Sequence, residues 1–143
     1  GRSKRRLMMD KLVYVAVLEN IENRNRLRKA GCDKDTPKIV WMKDFSTIHL
    51  NIGRDTGKTR HIIDNAKTGD LIVCRDGTRK FIQSQTSEKL NFYVPHISRD
   101  VYGRMFEECK LVFVDEPLET LRPFRDIYEF YNHFEPVFIM LGE

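Results

Sequence analysis

Nothing in these 143 residues stays apolar for the ~20 consecutive positions that a membrane-spanning helix needs, so no membrane partner is expected. Cysteine is scarce and scattered. Cys32, Cys74 and Cys109 form no C-x-x-C pair and are odd in number, which excludes a disulfide framework and points to a reducing, cytoplasmic setting. The four histidines are as dispersed, and none shares a zinc spacing with a second ligand. Ser, His and Asp occur in no order that suggests a nucleophilic triad. Internal repeats and low-complexity tracts are missing too. The opening Gly1-Arg2-Ser3-Lys4-Arg5-Arg6 is too basic, and lacks the apolar core, for a secretory signal. It also lacks Met, which suits a cloning remnant or a piece of a longer chain.

What is present fits one compact domain with length for a modest sheet and flanking helices. The net charge of +4 is unevenly spread. Up to Ala30, nine bases face only Asp10, Glu19 and Glu22; from Val101 onward, Arg104, Lys110, Arg122 and Arg125 are outnumbered by nine acids. A basic front and an acidic back suit nucleic-acid contact at one end or head-to-tail assembly of subunits. A solvated helix face plus a tag scar is the plainer reading, favoured for Arg2 to Arg6 and level for the Arg24 to Lys29 cluster.

Apolar periodicity predicts a helix over residues 8–29, with Gly31 as its stop, although the β-branched content of residues 11–18 also permits a strand. Residues 33–37 read as a turn, 38–42 as a short strand or a docking segment, and 47–52 as a strand. A helix over 57–67 is followed by a buried strand over 70–74. Asp76-Gly77 permits a hairpin, but a helix over 79–89 is preferred because parallel strands need a crossover. A strand over 91–94, a Ser98-capped helix to residue 109, a strand over 111–115, a break at Pro117, a helix over 125–134 and a strand over 137–141 complete the order. Alternating strands and helices with short joins predict an α/β fold, a three-layer α/β/α sandwich around a mostly parallel sheet. Residues 1–36 read as a basic helical segment and 37–143 as the core.

Two motifs carry chemistry. Gly53-Arg54-Asp55-Thr56-Gly57-Lys58-Thr59 lies between an apolar strand and a helical stretch. Backbone N–H groups of such a turn curl round phosphate oxygens, and the helix N-terminus adds partial positive charge. Lys58 would reach the β- and γ-phosphates and the Thr59 hydroxyl would ligate Mg2+. Ile52 stands where the full G-x-x-x-x-G-K-[ST] pattern has its first glycine. The second motif, Leu111-Val112-Phe113-Val114-Asp115-Glu116, is a buried-strand pattern delivering carboxylates at its C-terminal edge. Asp115 is placed for Mg2+ through water, and Glu116 to accept a proton from an attacking water or to orient it.

These residues resemble the P-loop NTPases (a RecA-like core) that carry a catalytic glutamate beside the metal aspartate. The Ile52 to Thr59 string is most similar to the loop of viral and phage DNA-packaging terminases and related helicases, with Arg at the third position (Arg54). The resemblance covers about residues 47–143. It implies ATP with Mg2+, phosphate contacts from Gly53, Arg54, Asp55, Thr56, Gly57, Lys58 and Thr59, metal contacts from Thr59 and Asp115, and catalysis by Glu116 with Lys58. It also implies a nucleic-acid partner, DNA more than RNA, and an oligomeric motor assembly. Residues 70–78 fall where such motors have a strand and loop facing nucleic acid, and Arg75, Arg79 and Lys80 are candidates to grip its backbone.

Each assignment has a plain structural counterpart. Lys58 and Thr59 suit an exposed helix start, and Asp115 and Glu116 a strand-end turn. Arg54 suits a surface arginine, and Arg75, Arg79 and Lys80 a solvated face. Trp41, Phe45, Phe92 and Tyr93 read as core, with Trp41 or Phe45 able to stack on adenine. Phe124, Tyr128, Phe130, Tyr131 and Phe134 read as a packed helix face or a partner groove. The competing functions are a nucleoside or nucleotide kinase, with Arg99, Arg104, Arg122 and Arg125 as lid candidates, and a non-catalytic module that docks on a partner protein.

Overall fold

Asp70 holds the start of the sheet together, and the strands it joins belong to a five-stranded layer. A computed structural model describes residues 2–50, 57–95, 109–120 and 136–142. Within them the order is α1 (Arg2–Lys29), α2 (Lys38–Phe45), β1 (Thr47–Leu50), α3 (Lys58–Asn65), β2 (Leu71–Val73), α4 (Asp76–Gln85), β3 (Asn91–Tyr93), β4 (Leu111–Asp115), α5 (Pro117–Thr120) and β5 (Val137–Leu141). The strands stand in the order β1-β5-β4-β2-β3, and every pairing among them is parallel. The fold is therefore α/β, with its sheet wholly parallel among the described strands.

Both faces of the sheet are apolar, which is why β2 and β5 read as uninterrupted runs. Successive side chains alternate between faces. On one face Leu71, Val73, Val112, Val114, Phe138 and Met140 pack with Trp41 and Met42 of α2. On the other, Ile72, Phe113, Val137, Ile139 and Leu141 meet Met9 and Val13 of α1, Ile62 and Ile63 of α3, and Ile82 of α4. The basic helix and the sheet thus share one core. At the N-terminal edge the buried Asp70 carboxylate accepts the Lys67 N–H (2.9 Å) and the Leu111 N–H (3.3 Å), while its carbonyl accepts the Asn91 N–H (2.9 Å). Burial pushes this carboxyl above its ordinary range despite those bonds.

Helix α1 begins at Arg2, earlier than residue 8, and stays helical through the ambiguous residues 11–18. Met9 and Val13, one turn apart, give that half a buried face, and tertiary packing overrides the β-branched content. Its end matches expectation: Gly31 has φ +80°, the Cys32 N–H donates to Leu27 O and the Gly31 N–H to Arg28 O, both at 3.0 Å. That is the Schellman arrangement, which needs a left-handed residue.

Residues 38–42 are not a strand. They form most of α2, which puts Trp41, Met42 and Phe45 on one side and leaves the Ile39-Val40 pair exposed. That pair reads locally as β, but burial of the Trp41 side decides the helix. The preferred helix after Asp76-Gly77 is present as α4, starting and ending a few residues before 79–89. Pro117 ends β4 as expected and also opens α5, where its missing N–H costs nothing. The helices expected over 98–109 and 125–134 fall, except Cys109, outside the described residues, as do the aromatics from Phe124 to Phe134. Among the described residues no helix is long and apolar enough to cross a membrane.

Candidate functional site

The sheet register brings three strand ends level. Leu50 of β1 pairs with Leu141 of β5, and Leu141 with Asp115 of β4. One residue further, the chain passes Gly142 and Glu116, and α3 begins nearby at Lys58. Ligands of open parallel sheets bind outside this carboxyl edge.

Lys58 and Glu116, 58 positions apart in sequence, meet here: Lys58 Nζ donates to Glu116 Oε1 at 2.7 Å. Their side chains are 14% and 31% exposed, so the pair is less screened than a surface pair. Since β5 separates β1 from β4, the two motif strands lie roughly 10 Å apart. The Glu116 carboxylate lies over the end of β5, where Gly142 leaves room for it. A Cβ there would sit 2.9 Å from both Glu116 carboxylate oxygens, and Gly142 itself has φ +98°. Its N–H donates to Leu50 O at 3.0 Å, tying β5 to β1 beneath the carboxylate.

Glu116 is held by its backbone as well. It has φ +51°, a left-handed conformation costing a non-glycine residue about 1 kcal/mol. Its N–H donates to Leu141 O (2.9 Å), and the Thr120 N–H donates to its carbonyl (3.0 Å). The Thr120 hydroxyl bonds the carbonyls of Asp115 (2.9 Å) and Glu116 (3.1 Å). Backbone strain held by surrounding bonds is a recurrent property of working sites.

Gly57, with φ +82°, turns the chain into α3, and among the described residues no side chain caps that helix. The first-turn N–H groups of Lys58, Thr59 and Arg60 precede the first intrahelical bond, from the His61 N–H to Gly57 O at 2.7 Å. One turn on, His61 fixes the helix against α1. Its Nδ1 lies 2.6 Å from Asp10 Oδ1, and Asn65 Nδ2 donates to the same oxygen at 3.0 Å. The buried imidazole meets Phe113 edge-on, centroids 5.8 Å apart.

Gly53, Arg54, Asp55 and Thr56 lie outside the described residues. Gly57, Lys58, Thr59, Asp115 and Glu116 are described and sit at this edge. The Asp115 charge also helps raise the thiol of Cys74 at the end of β2, which burial, the larger cause, and that carboxylate push up to about 12. At pH 8 only about one Cys74 thiol in 10,000 is then the reactive thiolate. A thiol reagent at pH 8 is expected to modify exposed Cys32 quickly and to reach buried Cys74 and Cys109 only after denaturant is added, as mass spectrometry of labelled peptides would show.

The basic residues read for nucleic acid are arranged differently from one another. Arg75 precedes α4, but Arg79 and Lys80 both engage Asp76 in its first turn, at 2.5 and 3.3 Å. These bonds, Arg79 first, hold the Asp76 carboxyl below its ordinary range. Arg24 is buried, its Nη1 donating to Ser46 Oγ at 2.9 Å, while Arg28 lies over the Trp41 ring at 5.7 Å. Trp41 and Phe45 pack on each other within the core, centroids 5.0 Å apart.

The reading of residues alone passed over Gly142, Thr120 and the Asp10–His61–Asn65 group. Only the glycine directly after an apolar strand left a trace in the sequence. Among the described residues, no three or more His, Cys, Asp or Glu side chains gather as a metal site. No family model matches this chain, and neither a curated protein nor a solved structure shows significant similarity to it.

Proposed function

We propose that this chain is a Mg2+-dependent, ATP-binding and hydrolysing P-loop domain of terminase or helicase type, acting on nucleic acid within an oligomer. The observation that carries the proposal is the 2.7 Å contact between Lys58 and Glu116 at the carboxyl edge of a parallel sheet. It joins the phosphate-loop cation to the acidic strand's base candidate.

The donor set fits a metal–nucleotide group. The start of α3, preceded by left-handed Gly57, offers first-turn N–H donors, Lys58 a cation, Thr59 a hydroxyl and Asp115 a carboxylate. Such a group, when bound, supplies the phosphoanhydride and the charge of the metal. Lys58 and the first-turn amides offset phosphate charge; Thr59 and Asp115 hold the cation. Glu116, braced over Gly142, takes a proton from water or orients it. Catalysis of this kind is mostly positioning and electrostatics. Arg75, Arg79 and Lys80 are the proposed contacts to a nucleic-acid backbone. Because Asp76 offsets part of their charge, the salt dependence they add is small.

The same ion pair favours a second reading. Lys58 and Glu116 satisfy each other's charge, as they would in a scaffold that binds no nucleotide. ATP hydrolysis measured with and without single- and double-stranded DNA separates the two. The motor reading expects Mg2+-dependent turnover that DNA raises. A folded protein that binds no labelled ATP at about millimolar concentration would leave the scaffold.

A further inference from the structure

Between Met8 and Ile21, helix α1 carries apolar residues on its outer as well as its inner side. Its inner face buries Met9 and Val13, yet Met8, Leu12, Tyr14, Val15, Leu18 and Ile21 are 37% to 66% exposed on the outer arc. A surface helix normally turns polar residues outward, so an exposed apolar arc of this size marks an interaction surface. The strip also has a shallow groove: Met8, Leu12 and Val15 face Leu50 of β1, the edge among the described strands, across a hollow of about 450 Å³.

The charges along this arc indicate what covers it. Met8, Lys11, Val15, Leu18 and Glu22 recur at alternating spacings of three and four, the seam spacing of two packed helices, with three of the five positions apolar and two charged. Lys11 flanks the apolar centre at one end and Glu22 at the other. If two copies of α1 ran parallel, Lys11 would meet Lys11 and Glu22 would meet Glu22. If they run antiparallel about a two-fold axis, Val15 lies opposite Leu18 of the second copy, and Lys11 opposite its Glu22, each contact occurring twice. Self-complementarity of this kind is what an isologous interface requires.

We infer that the outer face of α1 pairs with α1 of a second copy of this chain, antiparallel, through a Val15–Leu18 centre flanked by two Lys11–Glu22 ion pairs. The inference stands whether or not the site at the sheet edge hydrolyses ATP. Leu12 and Tyr14 shield the ion pairs, and Leu50 of β1 extends the covered surface beyond the helix.

Sedimentation equilibrium and light scattering test it. The wild-type chain is expected to be dimeric by about 100 µM. Leu18→Glu is expected to be monomeric with an unchanged circular dichroism spectrum. Lys11→Glu and Glu22→Lys should each weaken the dimer at least about tenfold by placing like charges opposite one another. The double variant Lys11→Glu/Glu22→Lys should regain wild-type affinity to within about threefold, since the pair is only inverted. A monomeric wild-type chain overturns the inference. Failure of the double variant to recover overturns the antiparallel arrangement.

Discussion

Glu116→Gln is expected to lower ATP turnover by about a hundredfold to ten-thousandfold, the range a lost general base commands, while leaving nucleotide binding in place. The amide keeps the shape of the carboxylate over Gly142 but accepts no proton. Lys58→Ala is expected to fail earlier, at binding, because a charge-assisted contact to phosphate contributes about 1.5–3 kcal/mol. The same pocket can be disturbed from the backbone: Gly142→Ala would drive a methyl to 2.9 Å from both Glu116 oxygens at a residue with φ +98°. Its turnover should fall with that of Glu116→Gln. Steady-state hydrolysis beside titration with a fluorescent ATP analogue reads all three. Unchanged hydrolysis in both Lys58→Ala and Glu116→Gln would refute the assignment of this edge.

Phe113→Ala is expected to cost about 3–5 kcal/mol, the ordinary loss for a large aromatic removed from a packed core. Phe113 is fully buried at the middle of β4, level with Ile72 of β2 and Ile139 of β5, and its ring meets His61. Removing it opens a cavity under α3, the helix that carries Lys58. With a urea slope of about 1–3 kcal/mol per molar, the unfolding midpoint should drop by about 1 M or more. Phe81, half exposed on α4, is the control, and its change to alanine should shift stability by no more than about 0.5 kcal/mol. A Phe113→Ala loss as small as that of Phe81→Ala would mean that this face of the sheet is not packed as described.

The strands were legible because a parallel sheet covered on both faces leaves unbroken apolar runs, as in Leu71-Ile72-Val73 and Val137 to Leu141. The end of α1 was legible in Gly31, whose backbone supplies the left-handed step there. Helix α2 was not. Ile39 and Val40 carry a local β preference, and the residues that outweigh it, Trp41, Met42 and Phe45, do so only against a sheet surface built from distant segments. Of the candidate site, Lys58 and Glu116 were each readable from their motifs, with no indication of the distance between them.

Apart from α2 and the first half of α1, local pattern determined the kinds of the described elements, their order and which side chains carry charge at strand ends, because each depends on residues within a turn or a strand of one another. Strand order was decided only in three dimensions. Inserting β5 between β1 and β4 puts a glycine under the Glu116 carboxylate, and docking α1 on α3 brings Asp10 to His61. Those neighbours are chosen by which apolar faces fit together across the whole chain, and such a choice leaves no periodic mark in the residues that make it.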